Sequence, residues 1–232
     1  GLPSQRNSGF ASRLRGPQRK VGGRVVSVQS TRIAIAARGR RLEYFTIAWN
    51  CVEGLVAVAS GVIAGSVSLV GFGVDSFIEV TSGAALLWRM SGDGDHRVRE
   101  RREQSALRIV GVCFLALAAY LVHEATFDLL HRDEAAPSPA GIALAVLSLA
   151  VMPLLARAKR RVARELRSGA MHADARQTEF CTYLSAILLV GLLLNAALGL
   201  WWVDSIAALC MTPIIAKEGI DGLSGRACCD HA

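Results

Sequence analysis

Two carboxylates lie in the middle of an apolar run, where charge is rare. Asp75 and Glu79 fall inside the hydrophobic segment Ser66–Met90 and are separated by one helical turn. On a helix, this spacing places both side chains on one face, within reach of a single ion. A charged side chain at the centre of a bilayer costs about 2.5 kcal/mol or more. Two like charges side by side cost more still, unless a cation or a proton neutralises them. The pair therefore predicts an intramembrane cation site.

A later apolar segment contains a second pair with the same spacing, Gln177 and Cys181, and Asp174 precedes it on the same helical stripe. Two helices that each contribute such a pair can surround one ion with four ligands, as tetrahedral Zn²⁺ requires. Carboxylates and a thiolate are good ligands, whereas a glutamine carbonyl is a poor ligand for a soft metal. We predict a metal site formed by Asp75, Glu79, Cys181 and Gln177. The alternative for Cys181 is a cysteine that only packs against other helices.

The first apolar segment also contains polar residues at membrane depth. Asn50 and Glu53 are spaced to share one helix face, and Glu53 is a third intramembrane carboxylate. Glu53 either relays protons or binds the ion, or else it is protonated and bonds a neighbouring helix. The sequence leaves these alternatives open, and Asn50 and Asp174 are accessory candidates at the same site.

The hydropathy of the chain predicts its architecture. Hydrophobic residues make up 52% of the 232 residues, which is typical of a membrane protein with several spans. We expect an all-α, polytopic fold with six transmembrane helices of about 20 residues each in residues 43–218. A basic, disordered cytoplasmic tail is expected at 1–42, with an organelle transit peptide as the alternative, and a short cytoplasmic tail is expected at 219–232. The predicted spans are Tyr44–Gly65, Ser66–Met90, Ala106–Leu130, Ser138–Ala158, Asp174–Leu200 and Trp201–Ala216.

The basic residues predict the orientation. Of the 26 Lys and Arg residues, all but Arg132 fall in segments that lie on one side of a six-span topology. The positive-inside rule therefore places both termini in the cytoplasm. Because topology accounts for the net charge of +7, we expect membrane lipid, and no nucleic acid, as a partner. The sequence leaves open whether the chain forms a homodimer.

Motifs of enzymes are missing from the sequence. It contains no nucleotide-binding loop, no nucleophile elbow and no HExxH helix. The six cysteines show no CxxC spacing, so they predict no disulfide framework. We therefore expect neither an enzyme nor a prosthetic group.

The six spans and the acidic pair of the second span resemble the cation diffusion facilitator family. Two further features are similar: Ala173-Asp174-Ala175 before a Ser-containing apolar run, and the segment WWVDS before the sixth span. The resemblance implies export of Zn²⁺ or a similar divalent ion from the cytoplasm in exchange for protons. The family has His and Asp at the fifth-span positions that Gln177 and Cys181 occupy here. It also carries a cytoplasmic metal-binding domain after the sixth span, so this chain resembles a short, divergent branch.

Two functions therefore remain. The first is a transporter of a divalent metal cation, Zn²⁺ in the first place, with the ion itself as substrate. The second is a non-transporting membrane partner or regulator that kept the fold, which the substituted fifth-span pair favours. Metal flux through sealed vesicles distinguishes them.

Overall fold

The computed structural model describes residues 22–91, 96–132, 134–166 and 168–224, and these residues contain helices and no strands. The chain divides after Ala34 into two compact units, of which the first contains the beginning of α1. The helix contacts and the sites described below belong to the second unit, Ile35–Ala232. The predicted all-α fold with six helices is confirmed. The helices are α1 (Gly22–Ala64), α2 (Val67–Ser91), α3 (His96–His131), α4 (Pro139–Leu166), α5 (Gly169–Leu198) and α6 (Val203–Leu223).

Five of these helices contain segments that are long and apolar enough to cross a membrane. They are Ile33–Ala64, Val67–Trp88, Arg108–His131, Pro139–Leu166 and Asp174–Leu198. The sixth helix is not among them, because four of its 21 residues are charged: Asp204, Lys217, Glu218 and Asp221. A multi-pass membrane protein is the class of fold that these helices define.

The structure corrects the predicted helix ends. The tail predicted as disordered at 1–42 is helical from Gly22 onward, and α6 continues past residue 218 to Leu223. Helix α4 likewise runs on to Leu166. Hydropathy marks only the apolar part of a helix, whereas Arg, Lys, Glu and Ala favour helix in water as well, so the helices extend beyond the membrane segments. The rest of the two predicted tails, 1–21 and 225–232, lies outside the described residues.

Glycines allow the helices to approach closely. Helix α3 packs along α6 and α4 packs along α5, while α2 contacts α3, α5 and α6. A Cβ atom on Gly111 of α3 would lie 2.8 Å from the Gly219 oxygen of α6. A Cβ on Gly73 of α2 would lie 2.8 Å from the Val58 nitrogen of α1. Small residues at such contacts are typical of helices that pack in lipid, where close van der Waals contact drives association.

Hydrogen bonds fasten one end of the bundle. Asp204 at the start of α6 accepts bonds from the hydroxyls of Ser66 (2.6 Å) and Ser68 (2.5 Å) at the start of α2. The Asn195 amide of α5 donates to the Ala135 carbonyl of the α3–α4 loop at 2.8 Å. These contacts join the α1–α2, α3–α4 and α5–α6 connections into one network at the end of the bundle predicted to face outward.

Candidate metal site

The structure brings three of the four predicted ligands together between α2 and α5. The Cys181 thiol donates to Glu79 Oε2 at 2.9 Å and to Asp75 Oδ2 at 3.4 Å. The three side chains are buried, at 3%, 1% and 3% relative exposure for Asp75, Glu79 and Cys181. Because water is excluded from this cluster, its charge must be neutralised locally, by a proton or by a bound cation.

Gln177 is the predicted ligand that lies outside this hydrogen-bonded cluster. Its side chain is half-buried, and its Nε2 has no hydrogen-bond partner in the described part of the chain. Thr178 takes the adjacent position instead, and its hydroxyl donates to Glu79 Oε1 at 2.9 Å. Thr178 is one residue closer to Cys181 than Gln177 is, and either spacing places two side chains on one helix face. Helical spacing therefore made Thr178 as good a candidate as Gln177 for a place beside Cys181. Only the packing of α5 against α2 selects between these two residues.

The cluster is hydrogen-bonded rather than preformed for an ion. Among the described residues, no group of three or more His, Cys, Asp and Glu side chains has the arrangement of a metal site. Two ligands of one tetrahedral zinc ion lie roughly 3.5 Å apart for the usual Zn–S and Zn–O lengths. The Cys181–Asp75 separation of 3.4 Å fits this value, whereas the Cys181–Glu79 separation of 2.9 Å is shorter. A bound ion would therefore take the place of the thiol proton and move Cys181 and Glu79 slightly apart.

Two further predicted residues, Asn50 and Glu53, are buried on α1. Glu53 accepts a hydrogen bond from the Ser76 hydroxyl at 3.1 Å, and Ser76 is the neighbour of Asp75 on α2. Glu53 and Asn50 are buried, and Glu53 Oε1 and both amide atoms of Asn50 have no hydrogen-bond partner within the described ranges. Polar atoms without partners are costly in a dry interior. Glu53 therefore extends the polar interior from the carboxylate–thiol cluster to α1.

A buried lysine, Lys159, also lies inside the bundle. The predicted fourth span ends at Ala158 and leaves Lys159 outside the membrane, but α4 continues past Lys159 and its side chain is fully buried. Its ammonium donates to Asp174 Oδ2 at 2.6 Å and to Glu43 Oε2 at 3.2 Å. Asp174, predicted as an accessory residue of the metal site, is thus ion-paired. The burial of Lys159 could have been predicted from the helical period of α4, because Lys159 lies on the same face as the buried residues Leu155 and Val162.

The interior of the bundle is acidic. In the described ranges, the buried charged side chains are those of Glu43, Glu53, Asp75, Glu79, Asp174, Asp204 and a single base, Lys159. Ionisable side chains inside a bundle of membrane-length helices are rare and usually mark a functional site. The chain belongs to the cation efflux family: residues 45–224 match its cation efflux transmembrane domain.

Individual relatives are similar at modest identity. The chain is 27% identical to magnetosome protein MamB of Magnetospira sp. over 69% of this chain and 57% of that protein. It is 27% identical to transmembrane protein 163 of Xenopus laevis over 77% of this chain and 64% of that protein. An uncharacterized transporter of Methanocaldococcus jannaschii is 25% identical over 78% of this chain and 69% of its own length. The chain thus spans roughly three fifths of the length of the first two relatives.

Proposed function

We propose that the protein transports a divalent metal cation, Zn²⁺, out of the cytoplasm by alternating access. The observation that carries the proposal is the buried cluster of Asp75, Glu79 and Cys181, with two carboxylates and a thiol within hydrogen-bonding distance. This donor set suits a borderline-soft ion. The fourth ligand is Gln177 or a water molecule. Membership of the cation efflux family supports the transport activity.

Exchange with protons follows from the burial of the site. A proton or a metal ion neutralises the same buried charge, so binding one disfavours binding the other. The Cys181 thiol must also lose its proton to bind the ion as a thiolate. Metal leaving on one side and protons returning from the other would complete a cycle of antiport.

The direct test is metal flux. Purified protein is reconstituted into sealed proteoliposomes that enclose a zinc-sensitive dye, and Zn²⁺ is added outside. We expect the dye signal to rise only in vesicles that contain the protein. The rise should be faster when a proton gradient drives protons out of the vesicles, opposite to the entry of Zn²⁺. Protein that binds lipid and folds but carries no Zn²⁺, Cd²⁺, Co²⁺ or Mn²⁺ would identify the non-transporting partner instead. The Gln177/Cys181 pair, which lacks an imidazole, is the feature that favours that second function.

Orientation is tested by cysteine labelling. Both termini are proposed to be cytoplasmic, because nearly all basic residues lie on that side. In a chain whose native cysteines are replaced, Ala136→Cys and Glu165→Cys introduce thiols at exposed positions at opposite ends of α4. A membrane-impermeant maleimide added to intact cells should label the first variant directly and the second only after permeabilisation. The reverse pattern would contradict the orientation.

Cys181 is proposed as the soft ligand of the site. Cys181→Ser keeps a hydroxyl near the carboxylates but removes the thiolate, so affinity for Cd²⁺ should fall more than affinity for Zn²⁺. Mutating a residue that only hydrogen-bonds to a metal ligand typically lowers metal affinity by about 10–100-fold. Because Cys181 is proposed as a ligand itself, we expect a loss of Cd²⁺ affinity at least that large. Titration calorimetry measures both ions. Cys210→Ser, at an exposed position on α6, is the matched control and should change neither affinity. Unchanged affinity for both ions would show that the sulfur is not a ligand.

Glu53 is proposed as a proton relay. Its carboxylate is linked to α2 through Ser76 rather than through the ligand cluster, so Glu53→Gln should preserve metal binding. Transport should then respond less steeply to pH, because one exchangeable proton is lost. Binding and flux are measured across the same pH range. Lost binding with normal pH dependence would show that Glu53 is a ligand instead.

A further inference from the structure

A second group of charged side chains is buried in the same bundle. Glu43 of α1, Lys159 of α4 and Asp174 of α5, here called the lysine cluster, join three helices through two ion pairs. Their side chains are at most 5% exposed. Taking a charge into such an interior costs several kcal/mol, and an ion pair compensates only if its geometry and hydrogen bonds are complete.

The ion pairs of the lysine cluster are incomplete. One ammonium faces two carboxylates, so a second negative charge in the cluster must be balanced by a proton or by another cation. In addition, Glu43 Oε1 and Asp174 Oδ1 are buried and have no hydrogen-bond partner among the described residues. A structural ion pair would be more favourable with every oxygen satisfied. The lysine cluster therefore has two buried carboxylate oxygens that a divalent cation could coordinate.

The lysine cluster lies one helical turn from the candidate metal site. Asp174 precedes Thr178 by one turn on α5, and Thr178 donates to Glu79. On α2, Gly83 follows Glu79 by one turn, and a Cβ on Gly83 would lie 3.5 Å from Glu43 Oε2. One turn of helix is about 5.4 Å. Gly83 lies on the C-terminal side of Glu79, and the C-terminal end of α2 is proposed to face the cytoplasm. The lysine cluster therefore lies on the cytoplasmic side of the Asp75–Glu79 site.

We propose that Glu43 and Asp174 form a second cation site, which the divalent ion occupies on its way between the cytoplasm and the Asp75–Glu79 site. Lys159 is the tethered cation that holds these carboxylates when the metal is elsewhere. The inference rests on the proposed transport function. An ammonium and a divalent ion compete for the same oxygens, and the flexible four-carbon stem of lysine lets its head group withdraw. A divalent ion would neutralise both carboxylates, whereas the ammonium neutralises one.

Removing the tethered cation should expose the site. The test uses a chain in which Asp75→Asn and Glu79→Gln disable the first site. In that background Lys159→Met leaves two buried carboxylates without a partner, and we expect Zn²⁺ to bind one ion per chain and to raise the melting temperature. Adding Glu43→Gln and Asp174→Asn should abolish both effects. The control Lys159→Arg retains a fixed cation and should bind no Zn²⁺. Folded Lys159→Met protein without zinc binding would overturn the proposal.

A second variant keeps the proposal testable if the Lys159→Met chain fails to fold. Glu43→Gln in the otherwise native chain preserves the Lys159–Asp174 pair. In proteoliposomes it should raise the KM for Zn²⁺ several-fold while equilibrium binding at the first site stays at the native value. Unchanged KM would show that the lysine cluster is structural. The Zn²⁺-binding test of the Lys159→Met chain does not depend on flux. A native chain that fails to transport would therefore overturn the proposed transport function, whereas the binding test alone decides the second site.

Discussion

Asp75→Asn and Glu79→Gln should each abolish metal transport and leave the protein folded. Both carboxylates are buried beside Cys181, and an amide can replace either one while still accepting the hydrogen bond from the thiol. A neutral amide costs less to bury than a carboxylate, so the metal-free variants should be at least as heat-stable as the native chain. What they lose is the negative charge that attracts a divalent ion. Flux should fall to the level of empty vesicles.

Thermal unfolding separates loss of the ion from loss of the fold. An ion that binds only the native state stabilises it by about 2.7 kcal/mol at a concentration 100 times its Kd. The native chain should show this rise in melting temperature with Zn²⁺, and the two variants should not. Asp204→Asn is the matched control, because Asp204 is also buried and its hydrogen bonds within the described part of the chain go to Ser66 and Ser68. It should lower stability and keep the zinc effect.

The opposite result would change the proposed function. If the native chain shows no stabilisation by Zn²⁺ and the Asp75 variant transports as the native chain does, the pair consists of structural hydrogen-bonding groups. The non-transporting partner would then be the better description.

Gly111→Ala should destabilise the bundle by about 1–3 kcal/mol, and Gly111→Leu should prevent native packing of α3 against α6. The new Cβ would lie 2.8 Å from both the Gly219 oxygen and the Leu223 nitrogen, which are backbone atoms of α6. Backbone cannot rotate away as a side chain can, so the two helices must separate. Close van der Waals contact of this kind drives helix association in lipid, and α3 packs along α6.

Heat denaturation in detergent micelles measures the effect. Gly71→Ala is the control, because the atoms that its Cβ would meet belong to the end of the Leu121 side chain, which can change rotamer. We expect a smaller loss for Gly71→Ala than for Gly111→Ala. Equal melting temperatures for the Gly111 variant and the native chain would contradict the α3–α6 contact.

The sequence by itself determined the features that depend on local spacing and composition. Six helices follow from hydropathy, and the common face of Asp75 and Glu79 follows from the period of one helix. The family resemblance likewise rests on these features and agrees with the match over residues 45–224. The helix ends were less predictable, because basic residues such as Arg38 and Arg164 prolong a helix beyond its apolar part.

Only the tertiary structure decided which side chains meet across helices. Neighbouring Gln177 and Thr178 have equally suitable spacings to Cys181, and the rotation of α5 against α2 places Thr178, not Gln177, on Glu79. Lys159 looks like one more basic residue of a surface segment until α4 carries it inward to Asp174. The rotation and depth of each helix are set by how its side chains fit between those of all its neighbours. That fit is a property of the whole bundle, and no local window of the sequence contains it.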